Sequence, residues 1–489
     1  MFFNKNQFVK SENKMTVMFG TSGIRKVFQN YSRTDLTFTP QMALDVGLAL
    51  GTYLKGKGIV VIGKDIRTSA LPIEYALISG IVSTGCSVKA VGIVSTSTLA
   101  MSLRYLRAEA GVMITASHNT PEYIGLKIWN PSGMGYTPDQ ETEIERIYNE
   151  KEFIEIEWDE IGRITHETDI NDIHILDITS RVDFDGSGLN VIVDPGNGAS
   201  CEIVPRLLSA YNVKVMTINA QMDGKFPGRN SEPNKENLVQ LSKFLKSSEK
   251  ETIGIALDGD ADRVIFLDEN GEIIDPIRLL TLMAKNYLER YKGTKISEEN
   301  MKVVTAINSS SLVEDVLTPL GCEVIRTEVG DIKVAIAIKE HGGFVGGETS
   351  GTYIWPSTHL GPDAIVTIAK VLRMIVEKGK PLRDLLNEIP EYPFCETKFR
   401  LKKDIPFTED INNKIIEEMT ESLGALGKKI SNINQMDGVR LDYNDGWILI
   451  RRSGTSPYLR LTGESSVDLE SSKVVNDSAK EKMEKLNLI

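Results

Sequence analysis

The sequence predicts an α/β protein of several domains: three similar mixed α/β units followed by a smaller C-terminal α+β domain. Three observations carry that expectation. At 489 residues the chain is long for one compact core, so domains of roughly 100–200 residues each are expected. An apolar β-branched run, a Gly- or Ser-containing turn and a helical period follow one another in three separate places, the grammar of βαβ units. After about Pro390 that grammar gives way to alternating apolar and polar residues around tight turns.

In chain order, "GIVVIGKDIRTSA" (58–70) reads as strand and loop, followed by the helical "PIEYALISGIVSTG" (72–85). "LNVIVDPGNGAS" (189–200) repeats the pattern and leads into "CEIVPRLLSAYN". "KVVTAINSSSLVEDVLTPLG" (302–321) does so a third time, with Ser309, Ser310 or Ser311 as the helix N-cap. Beyond Pro390, "ETKFRLKKDI", "QMDGVRLDYNDGWILIRRSG" and "YLRLTGE" read as antiparallel hairpins, the second turning at Asn444-Asp445-Gly446. "EDINNKIIEEMTESLGALG" and "SSKVVNDSAKEKMEKLNL" read as amphipathic helices.

Apolar content of 41% and charged content of 25% are ordinary for a globular protein. A net charge of −12 disfavours nucleic acid and anionic membrane as partners, because both need a basic face. It leaves room for a small phosphorylated ligand held locally by Arg, Lys and backbone N–H groups. Cys86, Cys201, Cys322 and Cys395 form no CxxC pair, so neither a disulfide framework nor a zinc cluster is expected. No apolar run is long enough to span a bilayer, and "MFFNKNQFVKSENK" has no signal-peptide h-region. A cytoplasmic protein is expected, with residues 1–14 an N-terminal extension.

Four segments could carry chemistry. "DGDADR" (258–263) follows the strand-like "TIGIAL" and precedes "VIFL". Asp258, Asp260 and Asp262 alternate, so their carboxylates can converge on one hard divalent cation, and three clustered negative charges are unfavourable without one. An EF-hand loop with Glu269 at its end fails, because Arg263 stands where that loop needs Gly and the flanks are strands. Solvated aspartates in a turn are the plainer alternative. In "TASHNT" (115–120), Ser117 ends the strand "AGVMI" and is a candidate nucleophile; no G-x-S-x-G elbow surrounds it, and a capping cluster is an equal reading. "RRSGTSPYLR" (451–460) places Arg451, Arg452 and Arg460 around Ser453, Gly454, Thr455 and Ser456, the forks, hydroxyls and turn amides that suit a phosphate dianion or else a polar hairpin. "GGETSGT" (346–352) is a small-residue loop around Glu348, suited to sugar hydroxyls or merely a strand-to-helix turn.

Taken in order, "FGTSGIR" (19–25), "TASHN" (115–119), "DGDADR" (258–263), "GETSG" (347–351) and "RSGTSP" (452–457) closely resemble the α-D-phosphohexomutase family, whose members include phosphoglucomutase, phosphomannomutase and phosphoglucosamine mutase. "DPGNGAS" (194–200) and "DGKFPGRNSEPNKENL" (223–238) look like further signatures of it. The resemblance runs from about Met15 to the end and implies four domains around a central cleft, here placed at 15–168, 169–274, 275–388 and 389–489. It implies that Ser117 carries a phosphoryl group, that His118 shapes its loop, and that Asp258, Asp260, Asp262 and a phosphate oxygen on Ser117 hold one Mg²⁺ per chain. By the same likeness Arg263 lies beside that metal, Glu348 and Ser350 contact sugar hydroxyls, and Arg451, Ser453, Gly454, Thr455 and Arg460 grip the phosphate that is not reacting.

The implied reaction interconverts hexose or hexosamine 1- and 6-phosphates through a 1,6-bisphosphate, which also serves as activator, in an intramolecular phosphotransfer. Lys127, Arg25 and His118 are the candidates for lowering charge and moving the hydroxyl proton. The chain departs from the usual family pattern at Lys26, at Ile124 before Gly125, at Arg452 and Ser456 in the phosphate loop, and at Thr352 after the sugar loop. None of these is the serine or an aspartate, but three, Arg452, Ser456 and Thr352, fall in or beside the loops that by the resemblance read the phosphate and the sugar. The sugar therefore stays open among glucose, mannose, glucosamine and a pentose, and a non-catalytic phosphosugar binder or a phosphatase are the competing classes.

Overall fold

A computed structural model describes residues 18–20, 23–34, 36–248, 251–291, 301–402, 407–453 and 457–489. The expected extension at 1–14 lies outside them.

The first sheet has six strands, in the order β1 (Ile24–Val27), β5 (Tyr123–Trp129), β4 (Ala110–Ile114), β2 (Ile59–Lys64), β3 (Ser87–Ile93) and β6 (Ile164–His166). The second has β10 (Val264–Leu267), β9 (Thr252–Leu257), β7 (Asn190–Asp194) and β8 (Lys214–Thr217). The third has β12 (Glu323–Thr327), β11 (Lys302–Ala306), β13 (Val345–Gly347) and β14 (Tyr353–Ile354). Central strands pair in parallel, as the βαβ grammar requires, and each sheet adds an antiparallel return: β5 on β4, β10 on β9, β14 on β13.

The physical cause is legible in β9. All six of its residues, "TIGIAL", are buried, since helices cover both faces of a parallel strand. The C-terminal sheet is antiparallel throughout, in the order β15 (Phe394–Arg400), β19 (Tyr458–Ser465), β18 (Gly446–Arg452), β17 (Val439–Tyr443) and β16 (Ile430–Asn434). Its edge strand β15 alternates exposed and half-buried residues because one face meets water. The helices Glu409–Ala425 and Leu469–Lys485 cover the other face, where the amphipathic pattern placed them.

The cap of the helix Leu312–Leu317 differs from the simple expectation. Ser311 occupies the N-cap position, yet its hydroxyl donates to Glu464 of β19 at 2.7 Å, and Ser310 Oγ accepts from Leu312 N at 3.2 Å instead. Contact with the C-terminal domain overrides the local cap.

The second and third units share one continuous apolar core, running from Val193 and Phe266 to Val345 and Leu372. The C-terminal domain closes a core of its own around Ile415, Leu441 and Val475. Between it and the third unit lies only a small apolar contact, Trp447 and Leu449 on Ile307.

In the first sheet β5 presses on β1 so closely that a Cβ on Gly125 would lie 1.8 Å from the Ile24 carbonyl oxygen. Backbone on both sides leaves no flexible atom to give way. Gly125→Ala is expected to cost on the order of 2 kcal/mol through overpacking, seen as a lower melting temperature by circular dichroism; an unchanged melt would mean that β1 can detach freely.

Candidate active site

Ser117 sits in the turn between β4 and β5, fully buried, with φ at +49°. A side chain in that left-handed region is strained by about 1 kcal/mol or more, so the surrounding structure must impose it. Arg67 does much of this. Its Nη2 donates to the carbonyl oxygens of Ser117 at 2.8 Å and Asn119 at 2.7 Å, and its Nη1 to those of Thr120 at 2.6 Å and Tyr123 at 3.0 Å. Asp65 receives Arg67 Nε at 3.1 Å and so fixes the guanidinium. From the second unit, Ser231 Oγ donates to the Ser117 carbonyl at 3.0 Å. The serine hydroxyl is thereby aimed at Asp258 Oδ2, to which it donates at 2.8 Å, with His118 Nδ1 3.3 Å away.

Asp258, Asp260 and Asp262 occupy the turn between β9 and β10, all buried, with one oxygen of each within 4.8 Å of the others. Thr96 Oγ1 and Lys127 Nζ each donate to Asp260 Oδ2 at 2.7 Å, and Lys127 also donates to Asp262 Oδ2. Asp260 Oδ1 and Asp262 Oδ1 are buried without any hydrogen-bond partner among the described residues. Orphaned carboxylate oxygens are costly in a dry interior. They fit a divalent cation with oxygen ligands. The same cluster also holds two donors without a hydrogen bond among the described residues, Arg25 Nε and Arg263 Nε, the latter 3.9 Å from Asp262 Oδ1, which suit an anion beside that cation.

Titration follows this crowding. Burial, then the Asp262 and Asp260 charges, raises the Asp258 carboxyl well above the ordinary range. For Asp260 burial also pushes upward, but Lys127 and the Thr96 hydroxyl outweigh it and the group is held below the ordinary range. Burial would discharge Lys127, yet Asp260 and Asp262 overcome it and keep the ammonium protonated. His118 is pushed down to about 2 by burial and by Arg263, Arg25 and Lys127, so its imidazole is neutral.

Glu348 lies in the turn between β13 and β14. Its Oε1 accepts from Gly330 N at 2.8 Å, and Thr352 Oγ1 donates to its Oε2 at 3.3 Å. Ser350 Oγ is 3.0 Å from Thr352 Oγ1. Burial, then the nearby Asp331, raises Glu348 to about 7. Asp331 itself, at the start of the helix Asp331–His341, is raised by burial. With Lys127, Gly23, Glu141 and Ile332 it lines a pocket between the first and third units.

In the fourth loop Ser453 N donates to the Tyr458 carbonyl at 2.8 Å, closing the connection from β18 to β19. Arg451 and Arg460 stand directly opposite each other across these strands, a like-charge pair that is offset by a carboxylate beside each. Glu396 lies 3.8 Å from Arg460 Nη1, and Asp437 Oδ2 accepts Arg451 Nε at 2.6 Å. Gly454 and Thr455 lie outside the described residues.

The fold therefore gathers Ser117, Lys127 and the three aspartates, all buried, and the half-buried His118, Arg25 and Arg263 into one cluster, with Glu348 near enough to act on the Arg263 charge. Sequence reasoning missed Arg67, Thr96, Ser231, Asp331 and Asp437. Asp331 had a signal, a Gly-Asp pair opening a helix, and Ser231 lies within the 223–238 signature; Arg67, Thr96 and Asp437 had none, because each acts on a segment remote in the chain. His174 and His359 are buried around Asp363, with His359 Nε2 at 3.0 Å from its Oδ2.

Comparison with known proteins defines the class. Residues 16–155, 172–271 and 275–392 match the families described as phosphoglucomutase/phosphomannomutase alpha/beta/alpha domains I, II and III, and 398–480 match the C-terminal domain of the same proteins. The chain belongs to this family of phosphohexomutases, isomerases that act as intramolecular phosphotransferases. It is 42% identical over 469 residues to a probable phosphoglucosamine mutase of Pyrococcus abyssi, covering 96% of this chain and 97% of the relative. A phosphoglucomutase/phosphomannomutase of Thermococcus kodakarensis is 37% identical, covering 92% and 95%. Among solved structures, a putative phosphomannomutase from Thermus thermophilus superposes with a TM-score of 0.78 at 24% identity over 95% of this chain and 98% of that one. The N-acetylphosphoglucosamine mutase of Aspergillus fumigatus, in complex with GlcNAc-6P and magnesium, reaches 0.60 at 14% identity, covering 98% and 96%. No helix among the described residues is long and apolar enough to cross a membrane.

Two outcomes follow from this geometry. Arg67→Lys keeps the charge but loses the fork that reaches four carbonyl oxygens; turnover is expected to fall at least tenfold while far-UV circular dichroism is unchanged, and full activity would show that the Ser117 turn holds itself. The second concerns Glu348, whose folded value of about 7 exceeds the ordinary 4.5. The folded state then binds the extra proton, so stability is greatest below about pH 4.5 and is lost as pH rises through about 7. Glu348→Gln should melt higher than the parent at pH 8, by on the order of 2–3 kcal/mol, and equally at pH 4.5; identical melting curves across that window would contradict the raised value.

Proposed function

We propose that the protein interconverts hexose or hexosamine 1- and 6-phosphates through a phosphoester on Ser117, with Mg²⁺ held by Asp258, Asp260 and Asp262. The observation that carries this reading is the Ser117 hydroxyl at 2.8 Å from Asp258, inside an aspartate cluster with two orphaned oxygens. The names of its relatives, phosphoglucosamine mutases and a phosphoglucomutase/phosphomannomutase, support the substrate class.

Phosphoryl transfer asks a protein for in-line positioning and for neutralisation of charge on the equatorial oxygens. Mg²⁺, bound between the three aspartates and a phosphate oxygen on Ser117, would supply Lewis-acid charge neutralisation. The rest falls to this chain. The strained Ser117 turn, clamped by Arg67, points the phosphoester at the incoming sugar. Arg25 and Arg263 face the developing charge with Nε groups that make no hydrogen bond among the described residues. The Ser117 O–P bond breaks as a new O–P bond forms to the sugar hydroxyl, giving the 1,6-bisphosphate. His118 stands beside Ser117 Oγ but, pushed down to about 2, is too weak a base to hold the hydroxyl proton, and Lys127 is charged and bound to two aspartates, so the proton passes to the Ser117 oxygen as it leaves phosphorus. Glu348 and Ser350 would meet the sugar hydroxyls, and Arg451, Ser453, Gly454, Thr455 and Arg460 the other phosphate.

The bisphosphate then turns over and returns its second phosphoryl group to Ser117. One phosphate loop serves both orientations because it reads a dianion, not a carbon position. Burial of Ser117 keeps water from the phosphoester.

A ³¹P NMR time course tests this, with Mg²⁺, a trace of sugar bisphosphate and, in turn, the 1-phosphates of glucose, mannose, glucosamine and ribose. One 1-phosphate resonance should convert to the matching 6- or 5-phosphate, and the conversion should vanish in Ser117→Ala and on chelation with EDTA. Release of inorganic phosphate without isomerisation would mark a phosphatase. No conversion of any sugar would overturn the reading for these substrates.

A further inference from the structure

The contact between the third unit and the C-terminal domain is mostly polar outside its small apolar patch. Arg440 stacks on Trp447, 4.1 Å from its guanidinium carbon to the ring centroid, and donates Nη1 to the carbonyl oxygens of Ile307 at 2.5 Å and Ser309 at 3.1 Å. Glu464 Oε1 accepts from Trp447 Nε1 at 2.7 Å and from Ser311 N at 3.0 Å. These bonds dock the domain and do not touch the loops of the site.

One contact in the interface does. Asp437, in the turn between β16 and β17, accepts two hydrogen bonds on the same oxygen, Oδ2: Arg451 Nε at 2.6 Å from its own domain and Val329 N at 3.1 Å from the third unit. The next residue after Val329 is Gly330, whose N–H donates to Glu348 at 2.8 Å. Consecutive amides of one dipeptide therefore bind the carboxylate that holds Arg451 and the carboxylate of the sugar loop. The adjoining Gly438, at φ +88°, packs the turn against β18 so closely that a Cβ there would lie 2.4 Å from the Ile450 carbonyl oxygen.

We infer that Asp437 is a positioning residue for phosphosugar binding, one that orients Arg451 and fixes its reach to Glu348 by tying both to the backbone at Val329-Gly330. The inference rests on the reading that Arg451 grips the non-reacting phosphate and Glu348 meets the sugar. Among the described residues the carboxylate takes Nε and no bond takes the terminal guanidinium nitrogens, which face a ligand in this reading, and a charge-assisted bond holds a side chain that would otherwise sample many rotamers. An arginine fixed in advance loses less freedom when the phosphate arrives. The span from Arg451 to Glu348 is then set by the docking of two domains, and with it the separation of phosphate and hydroxyls that a ligand must match.

Four full-length variants test it: Asp437→Ala, Asp437→Asn, Arg451→Ala and the double Asp437→Ala/Arg451→Ala. Each is assayed with the 1-phosphate that the parent converts and titrated calorimetrically with glucose 6-phosphate. Loss of uniform binding raises KM and spares kcat. Asp437→Ala should raise KM about tenfold with kcat within about twofold, Asp437→Asn should fall between it and the parent because its amide oxygen still accepts, and the double variant should be no weaker than Arg451→Ala alone. An unmoved KM in Asp437→Ala, or an effect that adds in full to that of Arg451→Ala, overturns the inference and leaves Asp437 a docking contact. If Asp437→Ala melts below the assay temperature, Asp437→Asn decides: a threefold rise upholds the inference and none overturns it. A parent that binds glucose 6-phosphate without turning any sugar over would refute the mutase reading alone, and the ratio of Kd values would then judge Asp437. A parent that binds no phosphosugar overturns both.

Discussion

The structure depends on the burial of three aspartates against a cluster of cations. Asp258, Asp260 and Asp262 are almost wholly removed from water, with Lys127, Arg25 and Arg263 close enough to act on their charges. Removal of one partner from such a group is severe, because it strands a charge where water cannot reach it. These residues come from distant parts of the chain, so the first two units must meet for the aspartates to be buried at all. Thr96, at the start of a helix in the first unit, reaches Asp260, and Ser231 of the second unit reaches the Ser117 carbonyl. Assembly of the site and docking of the units are therefore one event.

A common architectural rule places the four loops. Each is the hairpin connection between a strand and its antiparallel neighbour: β4 to β5 for Ser117, β9 to β10 for the aspartates, β13 to β14 for Glu348, β18 to β19 for Arg451 and Arg460. In the first three units the leading strand is buried between a parallel neighbour and its antiparallel return, which makes its end a rigid platform. A tight turn off such a platform can carry a strained residue or a bare charge. Ser117 and Ala261, both at positive φ, are such residues, and neither conformation would persist in an unsupported loop.

The fourth loop stands on different footing. Its domain has a separate core and meets the third unit through a small apolar patch bordered by hydrogen bonds. Interfaces of that kind permit relative motion between domains. In the proposed reaction a bisphosphate turns over between two transfers and needs space in which to do so, and a C-terminal domain docked mainly by polar contacts suits that proposal better than one fused into the core.

The elements themselves were legible from local pattern. The apolar runs "AGVMI", "TIGIAL" and "KVVTA" are strands because β-branched and apolar side chains fill a sheet covered on both faces, and the hairpin at Asn444-Asp445-Gly446 follows from turn chemistry that needs no distant partner. The residue types and spacing of "DGDADR" likewise foretold a carboxylate cluster, since alternation on a short turn brings the side chains together wherever it occurs. What the tertiary structure alone decided is which groups face that cluster and in what charge state. Lys127 remains an ammonium because two aspartates from another unit reach it, His118 is neutral because three cations and burial surround it, and Ser311 abandons its cap because Glu464 arrives from the last strand. Nothing local in the sequence marks Arg67 or Asp437; their roles come from carbonyls and amides 50 to 108 positions away. Propensity and periodicity act over a few residues, whereas desolvation and Coulomb interactions act through space, so only folding could set them.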